Sequence, residues 1–351
     1  MSTFTVPVVE IRAVEPIPGA DKIELAVVGD YRSVIAKGQF KPGDKAIYLP
    51  EAAVLPDALI SELGLDGKLA GSCKNRIKAI RLRGSLSQGI LYAKPELAGR
   101  PVGTDVADAL GVTKYEPPVP GHMKGEVASI FDAAFRFDIE NIKAYPDVLQ
   151  DGEPVEMTEK IHGTFCGFGV IPGLDHPDLF CGDGVVYSKG LGAKGLMFKD
   201  NAANNFNIYV AAARGLDIHA RIRSVFPGKA VHVLGEVYGH GVQDLTYGRK
   251  DRGYAAFDIC IDGSYLDRDE LAEVTRLLGI ERVPVLYRGP FSRATCLGMT
   301  DGQTLLSQGQ IREGIVVTPL HERTDPAIGR VILKSVSGDY LTRKGDATEF
   351  V

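Results

Sequence analysis

The chain has no tryptophan, few cysteines and no long apolar run, and each absence excludes a class of protein. No stretch of about 18 apolar residues indicates a membrane span, and the first residues lack the basic and apolar regions of a signal peptide. We therefore expect a cytoplasmic protein without a membrane partner. The cysteines lie at least 15 residues apart, which argues against a CxxC zinc site or a disulfide framework: Cys73, Cys166, Cys181, Cys260 and Cys296.

The charge balance also lacks a basic excess. The chain carries 40 Lys+Arg against 45 Asp+Glu, so its net charge of −5 gives no bulk indication of a nucleic-acid partner. With 44% hydrophobic and 24% charged residues the composition is that of a globular protein, and 351 residues favour two domains. No repeat of 20–50 residues indicates a solenoid.

The first part of the chain has the pattern of short strands separated by Gly, Pro and Asp turns. Such a pattern predicts a small β-barrel, with strands at 5–11, 23–28, 31–36, 45–48, 77–82 and 89–92. A proline-rich and glycine-rich stretch at 116–125 cannot continue a helix or a central strand. We therefore predict a barrel domain at 1–115, a linker at 116–125 and a second domain at 126–351.

The second region mixes strands and helices. The clearest helix is predicted at 267–278, where four apolar residues share one face and Gly279 follows the end. A weaker helix is predicted at 202–214. Apolar runs predict strands at 231–234, 254–259, 314–318 and 331–333.

A lysine precedes a glycine-containing turn in the segment Glu159-Lys160-Ile161-His162-Gly163. A free lysine has a pKa near 10.4, so it becomes a nucleophile only where burial or other cations lower that value. Taken alone, this string is more often a surface turn. Downstream, however, apolar strands each place one charged or aromatic residue near an end: Lys189, Glu236, Phe257, Glu313 and Lys334. A cleft formed by these side chains suits a nucleoside triphosphate.

The ordered series over about 137–337 resembles the motifs of the covalent nucleotidyltransferases, the superfamily of ATP-dependent ligases and mRNA capping enzymes. His162, where DNA ligases usually carry Asp, and the lead-in Phe-Asp-Ile-Glu-Asn-Ile at 137–142 look like nick-sealing RNA ligases. The amino-terminal module resembles the fifth RNA ligase family, in which an OB-fold domain precedes the catalytic domain. Only 17 residues follow Lys334, too few for an OB domain after it.

The resemblance implies an α+β fold, with an OB-like β-barrel followed by an ATP-grasp-like ligase domain of antiparallel sheets and flanking helices. It also implies three chemical steps. Lys160 attacks the α-phosphorus of ATP to form lysyl-AMP, AMP passes to a 5′-phosphate, and a 3′-OH displaces AMP. The implied cofactors are ATP and Mg²⁺ or Mn²⁺, and the implied role is sealing of 3′-OH/5′-phosphate nicks in RNA repair.

The resemblance also assigns residues to the nucleotide. The backbone of Glu159 would meet the adenine, Phe257 would stack on it, and Glu236 would lie near the ribose or a metal ion. The pocket would be shaped by His162, Gly163 and Lys189.

At the phosphates, Glu313 would hold a hydrated metal ion and Lys334 would contact the α-phosphate. The superfamily often shows a second lysine close to the last one, whereas Ser335 and Val336 follow Lys334 here. Either Arg343 or Lys344 is then a candidate for the second phosphate contact.

A cluster of basic residues in the amino-terminal module offers a site for a phosphate backbone: Lys74, Arg76, Lys78, Arg81 and Arg83. In a strand the members of each close pair share a face, and a bulge would be needed to align both pairs. Such a strip on a small barrel can follow a nucleic acid; the alternative is a charged edge strand. The expected partner is a nicked duplex with an RNA 3′-OH strand, bound by a monomer, with bases stacking on Tyr31, Phe40 or Tyr48.

Two other functions are compatible with parts of the sequence. The string at 190–195 fits GxGxxG, but a dinucleotide-binding oxidoreductase needs a helix at once, and 196–201 predicts a loop. We expect this string to flank the ATP cleft as a cover. A non-catalytic nucleic-acid adaptor is disfavoured because Lys160, both glutamates and Lys334 are present. The chain has neither a GxxxxGK[ST] nor an HExxH motif.

Overall fold

The computed structural model of the chain describes residues 4–343. Short strands dominate the amino-terminal region: β1 (Val8–Glu10), β2 (Ala13–Pro16), β3 (Ile23–Val28), β4 (Tyr31–Ala36), β5 (Lys45–Leu49), β6 (Ala53–Val54), β7 (Ile80–Leu82), β8 (Ser85–Ser87), β9 (Ile90–Tyr92) and β10 (Thr113–Lys114). The helices of this region are α1 (Asp57–Glu62), α2 (Pro95–Ala98) and α3 (Ala107–Leu110).

Two antiparallel three-stranded sheets, β1-β5-β9 and β2-β3-β4, form the amino-terminal module. They are joined where the Ser33 hydroxyl donates to the carbonyl of Gln88 at 2.6 Å. Strand β5 is buried on both faces, since Ile47 and Tyr48 belong to different apolar clusters. The predicted strands at 23–28 and 31–36 are confirmed with the same bounds.

The second region begins after an irregular stretch in which a 3₁₀ turn, Gly121–Met123, buries Met123. Its strands are β11 (Val127–Ser129), β12 (Glu140–Asn141), β13 (Pro154–Lys160), β14 (Thr164–Val170), β15 (Gly184–Tyr187), β16 (Leu196–Phe198), β17 (Val231–Gly239), β18 (Arg252–Ile261), β19 (Ser264–Tyr265), β20 (Val285–Pro290), β21 (Gly314–Pro319), β22 (Thr324–Asp325), β23 (Gly329–Arg330) and β24 (Leu333–Val336). Its helices are α4 (Lys189–Gly192), α5 (Ile208–Leu216), α6 (Ile218–Val225), α7 (Arg268–Leu278), α8 (Arg293–Thr300) and α9 (Gly338–Thr342).

Two five-stranded sheets form the framework of this region, in the orders β12-β24-β21-β13-β20 and β15-β14-β17-β18-β19. Their pairs are antiparallel except for β12 with β24. Residues of α5, α6 and α7 join apolar residues of β14, β17 and β18 in one buried cluster. The predicted α+β class is confirmed. Within residues 4–343, no helix has both the length and the apolar character that crossing a bilayer requires.

The predicted helices differ in outcome. Helix α7 starts after Asp267, which forms a capping box with Glu270, and ends at Gly279 in the left-handed region, as predicted. The predicted helix at 202–214 is divided into a 3₁₀ turn and α5, because the Asn207 side chain caps the first turn of α5. The predicted loop at 196–201 is wrong in part, since residues 196–198 form β16.

Candidate active site

Lys160 is the last residue of β13 and pairs with Gly314, the first residue of β21. This register brings Glu313 beside it, and the Nζ of Lys160 lies 2.6 Å from Oε1 of Glu313. The lysine side chain is 19% exposed and the glutamate side chain 1%. Glycine is needed at 314 because a Cβ there would overlap the carbonyl oxygen of Ser335. The close approach of β21 and β24 therefore fixes the ion pair.

Hydrogen bonds hold both ring nitrogens of the buried His162. Its Nδ1 lies 2.9 Å from the hydroxyl of Tyr340, and its Nε2 lies 2.7 Å from Oδ1 of Asp244. The backbone N–H of His162 donates to the hydroxyl of Tyr247 at 2.5 Å. Burial, reinforced by the charge of Glu313, raises the pKa of Tyr247. Tyr340 and Asp244 thus fix the imidazole, and Tyr247 fixes the backbone at the same residue.

Asp244 links His162 to Arg343. Burial alone would raise the pKa of Asp244, but hydrogen bonds from His162 and Arg343 outweigh it and hold that pKa well below its usual range. The guanidinium of Arg343 donates to both carboxylate oxygens and lies 3.7 Å from the centre of the Tyr340 ring. Arg343, a candidate for the second phosphate contact, is therefore committed to this network and does not line the cavity beside Lys160 that is described next. The other candidate, Lys344, lies outside the described residues.

A cavity of about 150 Å³ lies beside Lys160. It brings together every residue that the sequence predicts for catalysis, nucleotide binding and metal binding: Glu159, Lys160, His162, Gly163, Lys189, Glu236, Phe257, Glu313 and Lys334. These residues come from both five-stranded sheets, from the turn between β13 and β14, from the start of α4 and from the residue before β21. The two sheets thus enclose the site between them.

Phe257 belongs to an aromatic wall of this cavity. Its ring lies 5.3 Å from that of Phe137 and 5.9 Å from that of Phe165. The register between β17 and β18 shifts at this point, so Phe257 is the extra residue of a β-bulge. Bulges turn side chains away from the regular alternation and are frequent beside active sites. A half-buried aromatic face is accordingly available at the cavity.

Glu159 lines the cavity and has a buried side chain. The carboxylate accepts hydrogen bonds from the Thr304 hydroxyl and, at 2.9 Å, from the Leu305 N–H, and burial raises its pKa. Its own N–H donates to the carbonyl of Pro284 at 2.8 Å. The predicted backbone contact with a base would therefore fall to its carbonyl oxygen.

Gly163 lies in the turn just before β14 and packs against Glu236 of the neighbouring strand β17. A Cβ on Gly163 would overlap the carbonyl oxygen of Val237 and come within 2.9 Å of Cγ of Glu236. Nζ of Lys189, which also lines the cavity, lies 3.6 Å from Oδ1 of Asp138. Glycine at 163 therefore allows the turn after Lys160 to pack against β17.

The GxGxxG string forms α4, of four residues, and then leads into β16, which pairs antiparallel with β11. The fold thus lacks the βα unit of a dinucleotide fingerprint here. Backbone N–H groups of Ile130 and Phe135 donate to the carbonyls of Gly195 and Gly192, at 2.7 and 3.0 Å. Two backbone hydrogen bonds therefore join the string to the segment that precedes it.

A second cavity, of about 700 Å³, lies between the amino-terminal module and the second region of the chain. It shares Lys114 and Lys334 with the nucleotide cavity. Tyr31 and Tyr48 line it, with ring centres 5.3 Å apart, whereas Phe40 is buried in the core. Its basic residues are Arg12, Arg76, Lys78, Lys114, Lys143 and Lys334.

The predicted basic strip does not form one strand. Arg76 is buried and lies 4.1 Å from the centre of the Tyr115 ring, while Lys78 lines the larger cavity. Arg81 pairs with Asp339 at 2.7 Å, far along the chain. Lys74 and Arg83 have positive φ of 53° and 51° and occupy exposed turns. The predicted strand at 77–82 is wrong in length, since only Ile80–Leu82 is regular.

Sequence reasoning missed three basic residues of the cavities, Arg12, Lys114 and Lys143, and the three residues that hold His162, namely Asp244, Tyr247 and Tyr340. Asp244 and Tyr247 lie in an irregular segment after β17, where spacing carries no signal. Ser337, which caps α9, is a local signal that predicts a helix holding Tyr340.

Within residues 4–343, no group of three or more His, Cys, Asp or Glu side chains is arranged to hold a metal ion. The buried Oε2 of Glu313 has no hydrogen-bond partner and lies 3.8 Å from Nδ1 of His162. One such carboxylate oxygen fits Mg²⁺ or Mn²⁺ held mainly by substrate phosphates and water.

Comparisons with known proteins agree with this geometry. The sequence profile of the RNA ligase family matches residues 153–336, and an OB-fold domain profile matches residues 5–94. No curated protein matches the chain. Among solved structures, Naegleria gruberi RNA ligase with pyrophosphate is 25% identical, with a TM-score of 0.80 over 97% of this chain and 98% of that one. A mutant of that ligase with AMP and Mn is 25% identical, with a TM-score of 0.79 over 96% of this chain and 97% of the other.

Proposed function

This chain belongs to the RNA ligase family, and from that premise we propose that it is an ATP-dependent enzyme that seals 3′-OH/5′-phosphate nicks through lysyl-AMP. The observation that carries the proposal is the cavity in which Lys160 and Glu313 meet the other predicted nucleotide residues. The Naegleria gruberi ligase, solved with ATP or AMP and Mn, supports the nucleotide and metal assignments.

In the first step Lys160 loses its ammonium proton to water, and the neutral amine attacks the α-phosphorus of ATP. A nitrogen–phosphorus bond forms, the bond to the bridging oxygen breaks, and pyrophosphate leaves with the electron pair. Glu313 holds Nζ of Lys160 at 2.6 Å and so orients the nucleophile before the attack. Lys334 lies in the same cavity, where its positive charge stabilises the charge on the phosphoryl oxygens.

The remaining cavity residues bind the nucleoside. Phe257 offers an aromatic face to the adenine, and stacking of this kind is indifferent to which base is present. Glu236 approaches the ribose from β17, and His162, Gly163 and Lys189 close the pocket. A divalent cation, when bound at Glu313, supplies charge neutralisation at the phosphates.

The larger cavity is the proposed site of the polynucleotide end. Its lining has six basic side chains from both regions against three glutamates, together with five tyrosines, a combination suited to a phosphate backbone and its bases. Lys334 borders both cavities, so an end bound there lies next to the lysyl-AMP. We assign nucleic-acid binding to the module at 1–115, adenylylation to 126–351, and propose a monomer acting on nicks with an RNA 3′-OH strand.

Incubation with α-labelled ATP and Mg²⁺ tests the proposal. The wild-type protein is expected to acquire a covalent label that Lys160→Ala abolishes and that Lys229→Ala retains, because Lys229 is exposed and paired with Asp262. Absence of label from the wild-type protein would reject the enzyme assignment and favour a non-catalytic adaptor. Labelling by GTP or NAD instead of ATP would assign the chain to another branch of the covalent nucleotidyltransferases.

RNA preference is tested separately. Sealing is compared on nicked duplexes whose 3′-OH strand ends in ribonucleotides or deoxyribonucleotides. We expect faster sealing of the ribonucleotide end, and equal rates would contradict RNA specificity.

A further inference from the structure

Helix α9 contacts the active site at two points. The backbone N–H of Ser337, its capping residue, donates to the carbonyl of Glu313 at 2.9 Å. One turn later the hydroxyl of Tyr340 lies 2.9 Å from Nδ1 of His162. The helix follows β24, which carries Lys334, after a single residue. Its placement therefore affects both the glutamate that holds Lys160 and the neighbouring imidazole.

A second connection from α9 reaches the other ring nitrogen of His162. Arg343, directly after the helix, donates to both oxygens of Asp244 at 3.0 and 2.9 Å. Oδ1 of Asp244 lies 2.7 Å from Nε2 of His162. The ring is thus held between Tyr340 and Asp244, and both hydrogen bonds depend on where α9 lies.

The amino-terminal module contacts a different side of the same helix. Nη2 of Arg81 lies 2.7 Å from Oδ1 of Asp339, and its Nε donates to the hydroxyl of Thr342 at 3.3 Å. Asp339 and Thr342 are three residues apart and therefore share a face of α9. Leu86, in the same hairpin as Arg81, would lie 3.2 Å from a Cβ on Gly338. The hairpin β7–β8 thus packs along the helix.

We propose that Arg81 is a positioning residue for lysyl-AMP formation, acting through α9 on His162 and Glu313. The inference rests on the proposed function and gives Arg81 a task other than gripping nucleic acid. A helix of five residues is too short to be stable alone, so contacts at its surface decide where it lies. Oε2 of Glu313 lies only 3.8 Å from Nδ1 of His162, so a displaced ring alters the environment of the carboxylate that orients Lys160.

Charge exchange tests the pairing. Arg81→Asp and Asp339→Arg are each expected to lower kcat for self-labelling by roughly fivefold, with little change in the KM for ATP. The double variant restores the opposite charges and should recover most of the rate. Hydrogen exchange at residues 337–343 without nucleotide should rise in each single variant and fall again in the double variant.

The matched control is the Arg288–Asp269 pair, whose side chains are similarly exposed and whose nitrogen–oxygen distance is 2.6 Å. Arg288→Asp and Asp269→Arg should label at the wild-type rate. If wild-type protein and Arg81→Asp label equally fast, the inference is wrong and the proposed function stands. A double variant no faster than the slower single variant would also overturn it. Absence of label from every protein would reject the proposed function itself.

Tyr340→Phe isolates the connection inside the site, because it removes one hydroxyl and leaves the helix sequence otherwise intact. It should lower kcat while the exchange at 337–343 stays near the wild-type level. Combined with Arg81→Asp, its effect should be less than additive, since both act through the same contact. Full additivity would show that Arg81 acts by another route and would overturn the inference.

Discussion

The amine of Lys160 and the buried carboxylate of Glu313 lie 2.6 Å apart at the junction of two strands whose residues are 153 positions apart in sequence. The pair exists because β13 ends where β21 begins. Burial of the glutamate makes its charge effective, since water does not screen it. The lysine is thus presented to the cavity in a fixed direction.

Glu313→Gln should slow self-labelling by about 100-fold, the size of effect typical of a removed electrostatic group in a closed site. The amide keeps the shape of the side chain but loses the charge that holds Lys160 and suits a divalent cation. Single-turnover labelling measures the rate. Glu273→Gln, an exposed change on α7, is the control. A wild-type rate for Glu313→Gln would contradict the proposed role.

Phe257→Leu should raise the KM for ATP by about tenfold, because stacking on an aromatic ring contributes about 1–3 kcal/mol per base. Since the ring does not contact the reacting phosphate, kcat should change little. Titration of the labelling rate with ATP separates the two constants. Phe206→Leu is a suitable comparison, as Phe206 is 88% exposed. An unchanged KM would assign Phe257 to the core alone.

Lys78→Ala should weaken sealing of a nicked duplex, while self-labelling continues. The slope of log affinity for the duplex against log salt concentration should fall by about one, the effect of losing one phosphate contact. Lys78 lines the larger cavity, whereas Lys68, on the same module, is exposed and bonded to the carbonyl of Gly64. Lys68→Ala should therefore leave sealing unchanged. Equal loss of labelling and sealing in Lys78→Ala would indicate disturbed folding instead.

Acidification should destabilise the fold through two buried histidines. Burial lowers the pKa of His219 and of His232 to about 4, from an ordinary value of 6.5. Between about pH 4 and pH 6.5 these histidines are protonated in the unfolded chain and neutral in the folded chain. The free energy of unfolding therefore rises with pH across this interval. At pH 5 each histidine should lower the free energy of unfolding by about 2 kcal/mol relative to its value at pH 7.5.

Urea unfolding at the two pH values measures this difference. His219→Gln and His232→Gln should each reduce the pH dependence, whereas His240→Gln, at an exposed position, should not. A pH dependence that is the same in all three variants would contradict the assignment.

Local patterns were sufficient to pick out the residues that line the smaller cavity and insufficient to place the basic residues at 74–83. Lys160, Glu236 and Lys334 lie at strand positions that an apolar run with one polar residue already indicates. The positions of Arg76 and Arg81 depend on Tyr115 and Asp339, and no local pattern reports the contact of Arg81 with Asp339, 258 residues away.

Some elements of the fold likewise follow from neighbouring residues, whereas others depend on the tertiary structure. The capping box of α7 and the strands at 23–28 and 31–36 follow from neighbouring residues, and they were predicted within one residue. The bulge at Phe257 depends on the register between β17 and β18, which only the assembled sheet determines. The embedding of Asp244 and Tyr340 around His162 likewise requires the full tertiary structure.

Because Lys114 and Lys334 border both cavities, the proposed function places the same cations beside two anionic ligands in succession. Under that proposal, pyrophosphate and the 5′-phosphate of a polynucleotide compete for overlapping space. We therefore expect the first product to depart before the end of the strand enters. Excess pyrophosphate should accordingly inhibit sealing even by enzyme that already carries AMP, by reversing adenylylation and by blocking entry.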